Sequence, residues 1–321
     1  MRTTANRLIV VFLAVIALCM SAVACTESGT GNAATLTVGF VVDPSWAQIP
    51  VADQGGYFRK HNVTVKVVNF PSGIEALQAV AAGQVDVATA ADVPVAAVLT
   101  RSPSLKVVAD GSRWEGSRIV ALRGAGIRDL ADLAGKSIGT PLGTSADYFV
   151  SNALAQNGIK AKLVQVSPSA TVTAAARHNV DAISIFQPYQ EQVAQALGAD
   201  AVELKGGSYT QHSLYLATPS AVQGKAPALS AFFAALSDAG AQLAGRSESA
   251  VSAVATATQL DPDLLRKILP EFNFTLELQP ELASTLTELG QWAKTQGSIE
   301  PATQLPDYAT YFDNRFLPKT D

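Results

Sequence analysis

Few residues in this chain could make or break bonds, and their positions point to binding. Its two cysteines, Cys19 and Cys25, both stand near the N-terminus. From residue 26 onward there can be no internal disulfide, thiol nucleophile or thiolate metal site. Three histidines exist, His61, His178 and His212, and no two stand at metal-ligand spacing. His61 falls in a surface turn, and His212 has no evident partner. The polar residues of interest lie in loops after apolar, strand-like segments. In open α/β sheets, ligands sit beyond the carboxyl ends of strands. That rule selects Ser45, Trp46 and Gln48 after the first strand, Ser72 and Gly73 after the second, and Asp92 after the third. Trp114, beside Arg113, follows the fourth. Further on it selects Thr140, Gly143, Thr144 and Ser145, then Ser167 and Ser169, then Phe186 and Gln187. Gly143-Thr144-Ser145 sits where a loop meets a helix, so free N–H groups and hydroxyls there favour an oxyanion such as sulfonate or carboxylate. The same residues also suit plain N-capping. Trp46 either walls a pocket or packs in the core. Arg113 either pairs with an anionic ligand or is solvated. Asp92 is expected to cap a helix first and touch a ligand second.

The elements that must position these residues occur as a repeat. Val63–Asp92 and Ala161–Pro188 each read as an apolar strand, a Pro-Ser turn, an Ala-rich helix and a short strand opening with Val-Asp. The matched Asp86 and Asp181 argue for a structural role. A βαβαβ pattern predicts a mostly parallel sheet flanked by helices, and two copies predict two lobes with a cleft between them. The expected lobes are 35–122 plus 213–321, and 123–212. Two crossovers, near Leu122 and Tyr215, would form a hinge. From Pro219 the chain reads as helical, with no strand of its own, packed on the first lobe.

Bulk composition agrees. The chain has 321 residues, 48% hydrophobic and 16% charged, with a formal net charge of -4. That supports a full globular core and lacks the basic excess of a nucleic-acid binder. Arg2 and Arg7 precede an apolar run, Leu8 to Met20, and small residues Ser21 to Ala24. This reads as a signal peptide over 1–24, the run being short for a membrane anchor. Cys25 after Ala24 resembles a bacterial lipobox and is the expected lipidation site. Ala22 departs from the usual Leu, which leaves an ordinary signal-peptidase site as the competing reading. Residues 25–34, small and polar, read as a linker.

Four segments stand in order: IPVADQGGYFRKHNVTVKVV, FPSGIEALQAVAAGQVDVATA, DLADLAGKSIGTPLGTS and VDAISIFQPY. Together they resemble the nitrate/sulfonate/taurine-type substrate-binding proteins of ABC importers. The resemblance implies a type II periplasmic-binding fold with a helical C-terminal extension. It implies an extracytoplasmic, lipid-anchored monomer that clamps a small organic anion, such as an alkanesulfonate, and delivers it to an ABC permease and its ATPase. It implies no catalysis, cofactor or metal. Related proteins often carry an acid before the proline of the last segment. Here Gln187-Pro188 replaces it, which weakens the case for an amino-bearing ligand, since neutral Gln can only hydrogen-bond. Desulfinases and pyrimidine-synthesis enzymes share related scaffolds, but that reading would require a cysteine in the body of the chain. A sensor or adhesin using the same cleft is a third reading.

Overall fold

The computed structural model describes residues 35–319. The expected signal peptide, Cys25 and the linker to residue 34 lie outside the described residues. In chain order the strands are β1 (Thr35–Val41), β2 (Thr64–Phe70), β3 (Val87–Ala91), β4 (Lys106–Trp114), β5 (Ile119–Leu122), β6 (Ser137–Thr140), β7 (Lys162–Gln165), β8 (Ala182–Ser184), β9 (Ala201–Leu204), β10 (Gln211–Ala217) and β11 (Phe272–Asn273). They form two sheets, ordered β11-β4-β10-β3-β1-β2 and β7-β6-β8-β5-β9.

The repeat is the skeleton of both sheets. In the first, β1 pairs in parallel with β2 and β3; in the second, β6 pairs in parallel with β7 and β8. Each Val-Asp aspartate pins its trio at the same place. Asp86 Oδ2 accepts from Thr37 N at 2.8 Å, and Asp181 Oδ2 accepts from Ser137 N at 2.8 Å. Their own N–H groups donate back to Thr37 O and Ser137 O at 2.8 and 2.9 Å. The scaffold role expected for this pair is therefore the observed one.

The expected mostly parallel sheets are in fact mixed. β10 pairs antiparallel with β3 and β4, and β5 antiparallel with β8 and β9. A strand that brings the chain in from the other sheet has no crossover helix behind it and is free to enter in the opposite direction. The expected first crossover also moves. Ile119–Leu122, assigned above to the first lobe, is buried along its length and paired on both sides within the second sheet. The chain thus passes between sheets at 115–118 and again at 205–210, not at Leu122 and Tyr215. Tyr215 lies inside β10, fully buried against Phe232 and Phe233.

Helices cover the sheets. They are α1 (Gln48–Gln54), α2 (Tyr57–Lys60), α3 (Gly73–Ala81), α4 (Asp92–Leu99), α5 (Ser145–Gln156), α6 (Thr171–Ala176), α7 (Tyr189–Leu197), α8 (Pro219–Gly224), α9 (Ala226–Ala244), α10 (Glu248–Thr258), α11 (Pro262–Ile268) and α12 (Leu282–Thr295). The start of α3 shows why the Pro-Ser turn matters. Ser72 caps it by accepting from Glu75 N, and Glu75 lies in the first turn. Ala76, Leu77, Ala79 and Val80 then bury one face. In the tail, α9 and α10 pack on α1 and α12 packs on α4, so it rests on the first sheet's helices as expected. It is not strand-free, however: β11 extends the first sheet beside β4. It also touches the second sheet's helices, where Lys267 of α11 pairs with Glu191 of α7 and Trp292 of α12 lies edge-on to Tyr148 of α5. Among the described residues no helix is long and apolar enough to cross a membrane.

Candidate functional site

Both parallel trios open onto one cavity of about 240 Å³. After β1 come Val41, Val42, Asp43, Ser45 and Trp46; after β2, Pro71, Ser72, Gly73 and Ile74; at the end of β3, Ala91. The second sheet supplies Pro141, Leu142, Thr144 and Ser145 after β6, Gln165, Ser167 and Pro168 after β7, and Phe186 and Tyr189 after β8. All six carboxyl ends of the two trios therefore reach the cavity, as the strand-end rule requires. The two Pro-Ser turns lie on opposite walls. Val42, Ile74 and Leu142, the large apolar side chains left exposed among the described residues, also line it.

Eight of the expected site residues meet here: Ser45, Trp46, Ser72, Gly73, Thr144, Ser145, Ser167 and Phe186. Gly73 is needed for closeness, because a Cβ there would stand 3.2 Å from that of Ala90. Thr144 precedes α5 without capping it. Its hydroxyl donates to Pro141 O at 2.7 Å, so the helix starts with first-turn N–H groups not served by a side-chain cap. Ser145 Oγ donates to Gln211 Oε1 at 2.6 Å, tying the start of α5 to the start of β10. Phe186 meets Tyr189 edge-on, with centroids 6.3 Å apart. Trp46 is 3% exposed, and its indole N–H has no partner among the described residues.

The other seven turn away from the cavity. Gln48 is fully buried, with Nε2 donating to Gly111 O and Phe274 O. Asp92 is the first residue of α4 rather than its N-cap, and its Oδ1 accepts from Val93 N in the first turn at 2.8 Å. Its carboxylate also accepts from Tyr209 Oη at 2.6 Å and His212 N at 3.0 Å, holding the end of the second crossover and the start of β10. Trp114 stacks on Phe272 and donates to Glu271 at 2.9 Å. Gln187 donates to the same Glu271 oxygen at 3.2 Å. Thr140 is buried at the end of β6, Gly143 gives its N–H to Asp147, and Ser169 is exposed outside the cavity. Arg113 pairs with Asp110 and Glu277, away from the cleft. His212 does have a partner: its Nδ1 lies 2.6 Å from Asp110 Oδ2. In each repeat, then, the apolar member of the last pair, Ala91 or Phe186, lines the cavity, while Asp92 or Gln187 joins the frame.

The NMT1/THI5 like family matches residues 43–250, nearly two thirds of the chain and every loop of the cavity up to Gln211. The chain belongs to this NMT1/THI5-like family. A Brucella abortus relative named as a binding protein is 35% identical over 155 residues, 47% of this chain and 47% of that protein. The Escherichia coli taurine-binding periplasmic protein is 25% identical over 160 residues, 49% of each chain. The matched stretch thus spans about half the length of these relatives. Among solved structures, the E. coli periplasmic aliphatic sulphonate binding protein superposes with a TM-score of 0.72 at 20% identity, over 86% of this chain and 96% of that one. The alkanesulfonate-binding protein of Xanthomonas axonopodis, bound to MOPS, gives 0.71 at 19% identity, over 88% and 98%. At that identity the likeness shows the fold, a periplasmic-binding one.

In this NMT1/THI5-like chain the cleft is neutral and hydroxyl-rich, with one exception. Asp43 is the one charged side chain lining it among the described residues, and it is 7% exposed. Its Oδ1 accepts from Ser45 N at 2.7 Å. Burial pushes its carboxyl up to about 6, against the partial relief that Ser45 gives. Across the cavity, the Tyr189 phenol is raised first by burial and then by the charge of Asp43. Asp147, in the first turn of α5, is also raised by burial and accepts from Gly143 N at 2.9 Å. Asp43, Tyr189, Gln165 and Gln211 are cleft residues the sequence reading missed. Asp43 was findable, since it stands in the very loop that supplied Ser45 and Trp46. Gln211 carried no signal, because it reaches the cavity from the amino end of β10, which the strand-end rule does not select.

Proposed function

We propose that this chain is the extracytoplasmic solute-binding component of an ABC importer, which closes on a small organic anion and hands it to a permease and its ATPase without chemistry. The observation that carries this reading is the single cavity into which the strand ends of both trios open. The two sheets then act as lobes, joined at 115–118 and 205–210. Sulfonate-like solutes are favoured by the likeness to sulphonate- and taurine-binding proteins, by the hydroxyls of Ser72, Ser145 and Ser167, and by the uncapped start of α5. Catalysis is disfavoured because no cysteine, histidine, lysine or arginine is among the cavity-lining residues. Anchoring through lipid on Cys25 and a monomeric state belong to the same proposal.

Calorimetry and thermal shift on the full chain with propanesulfonate, MOPS, taurine and nitrate test it. Saturable binding with a raised melting temperature is expected from at least one solute. Thr144→Ala should weaken that binding several-fold while leaving the circular dichroism spectrum unchanged. Silence across the panel would overturn the reading. Loss of membrane association in Cys25→Ser, expressed in a bacterium, tests the anchor separately.

A further inference from the structure

The charge of the cleft poses a problem that a simple anionic solute does not solve. Asp43 is more than nine-tenths buried and lines the cavity, and no Lys, Arg or His lies within ion-pair distance of it among the described residues. A buried carboxylate is costly unless a partner compensates it. No cationic side chain lines the cavity, and the one hydrogen bond to the carboxylate among the described residues is that from Ser45 N to Oδ1, which leaves Oδ2 for a positive charge that arrives with the ligand. A purely anionic solute would instead place a second negative charge beside the first.

The surrounding surfaces suit that incoming charge. Trp46 lies on the same wall, three residues along. Phe186 and Tyr189, packed edge to face, stand on the opposite wall. Aromatic faces with a carboxylate attract an organic cation through the ring quadrupole and a charge-assisted hydrogen bond. A lone carboxylate is too few ligands for a divalent metal, which needs several oxygens. Gln187, whose neutrality weakened the case for an amine above, is bonded to Glu271 outside the cavity and does not bear on the question.

We infer that Asp43, with Trp46, Phe186 and Tyr189, forms a subsite for a protonated nitrogen, so that the solute carries an amine or similar organic cation in addition to its anionic group. This rests on the solute-binding reading and specifies it. The test compares matched probes by calorimetry at neutral pH: 2-aminoethanesulfonate against ethanesulfonate, MOPS against propanesulfonate, and benzylamine against benzyl alcohol. Wild type should prefer the nitrogen-bearing member of a pair by about tenfold or more, the usual worth of a charge-assisted hydrogen bond. Asp43→Asn, which keeps the shape, should reduce that preference to within about twofold, and Tyr189→Leu should reduce it partly. Melting curves of both variants establish that they fold. Equal affinity for both members of every pair, or a preference that survives Asp43→Asn, overturns the subsite and leaves the solute-binding reading standing. Binding of no probe by wild type overturns both.

Discussion

At the scale of single residues, Asp43 sets function against stability. Its carboxyl is raised by burial to about 6 from 3.8, so the folded chain holds this proton more tightly than the unfolded chain does. The sign follows. Below about pH 4 both states are protonated and the group costs nothing. Between 4 and 6 the unfolded chain ionises first, and above 6 the folded chain carries the full penalty. About two pKa units correspond to about 3 kcal/mol as an order of magnitude. Asp43→Asn should therefore stabilise the ligand-free protein by about 1–3 kcal/mol at pH 7.5 and by nothing measurable at pH 4. Denaturant melts at the two pH values check this. A variant less stable than wild type at pH 7.5 would mean that the carboxylate is compensated in the empty cleft. The same residue shows the limit of reading a loop. In sequence Asp43 is a strand breaker before a proline, and only the far wall, with Tyr189 facing it, reveals an unneutralised charge.

At the scale of elements, the Val-Asp strand openings do the holding. Asp181 accepts from both the N–H and the hydroxyl of Ser137, at 2.8 and 2.7 Å. These bonds, the backbone one first, together with nearby Lys136, hold its carboxyl below the usual range despite some burial. Asp181→Ala should cost about 1–3 kcal/mol by leaving the N–H of Ser137, at the start of β6, without its acceptor. Because the folded value is depressed, the loss should be full at neutral pH and shrink as pH falls below 3.8 through the folded value. A pH-independent deficit would argue for packing loss instead. This pair was legible in sequence because a repeat exposes what both copies need, and matched aspartates at matched strand starts need no knowledge of distant neighbours. The sheet that β5 joins was not legible. Ile119–Leu122 is apolar throughout, as any central strand is, and its membership is decided by β8 and β9, about 60 to 85 residues further along. Gln48, Asp92 and Gln187 failed as cleft residues for the same reason. Their orientations are fixed by Gly111, Tyr209 and Glu271, which the local sequence does not contain.

At the scale of the whole molecule, the two sheets are joined by two short crossovers and also tied by the helical tail. Glu271, just before β11, receives Gln187 from the second sheet's side and Trp114 from the first. Lys267 of α11 pairs with Glu191 of α7, a carboxylate only 5% exposed. Removing the lysine leaves that carboxylate buried without its cation, which favours a conformation in which α7 swings away and Glu191 meets water. The apparent dissociation constant scales inversely with the fraction of molecules already closed. Lys267→Ala should therefore weaken solute binding by about three- to tenfold, mainly through faster release, and expand the ligand-free protein in small-angle scattering. The contact surfaces of the cavity are untouched by this change, so the intrinsic ranking of solutes should stay the same. Lys60→Ala is the control. Its partner Asp238 sits with it on the first sheet's side and is 33% exposed where Glu191 is 5%, so Asp238 stays in water when the lysine is removed and a pair of this kind contributes little. If Lys60→Ala and Lys267→Ala change affinity equally, the tail is a passive cover. If only Lys267→Ala does, the tail sets the balance between open and closed forms, and the helices after β10 take part in ligand capture without lining the cleft.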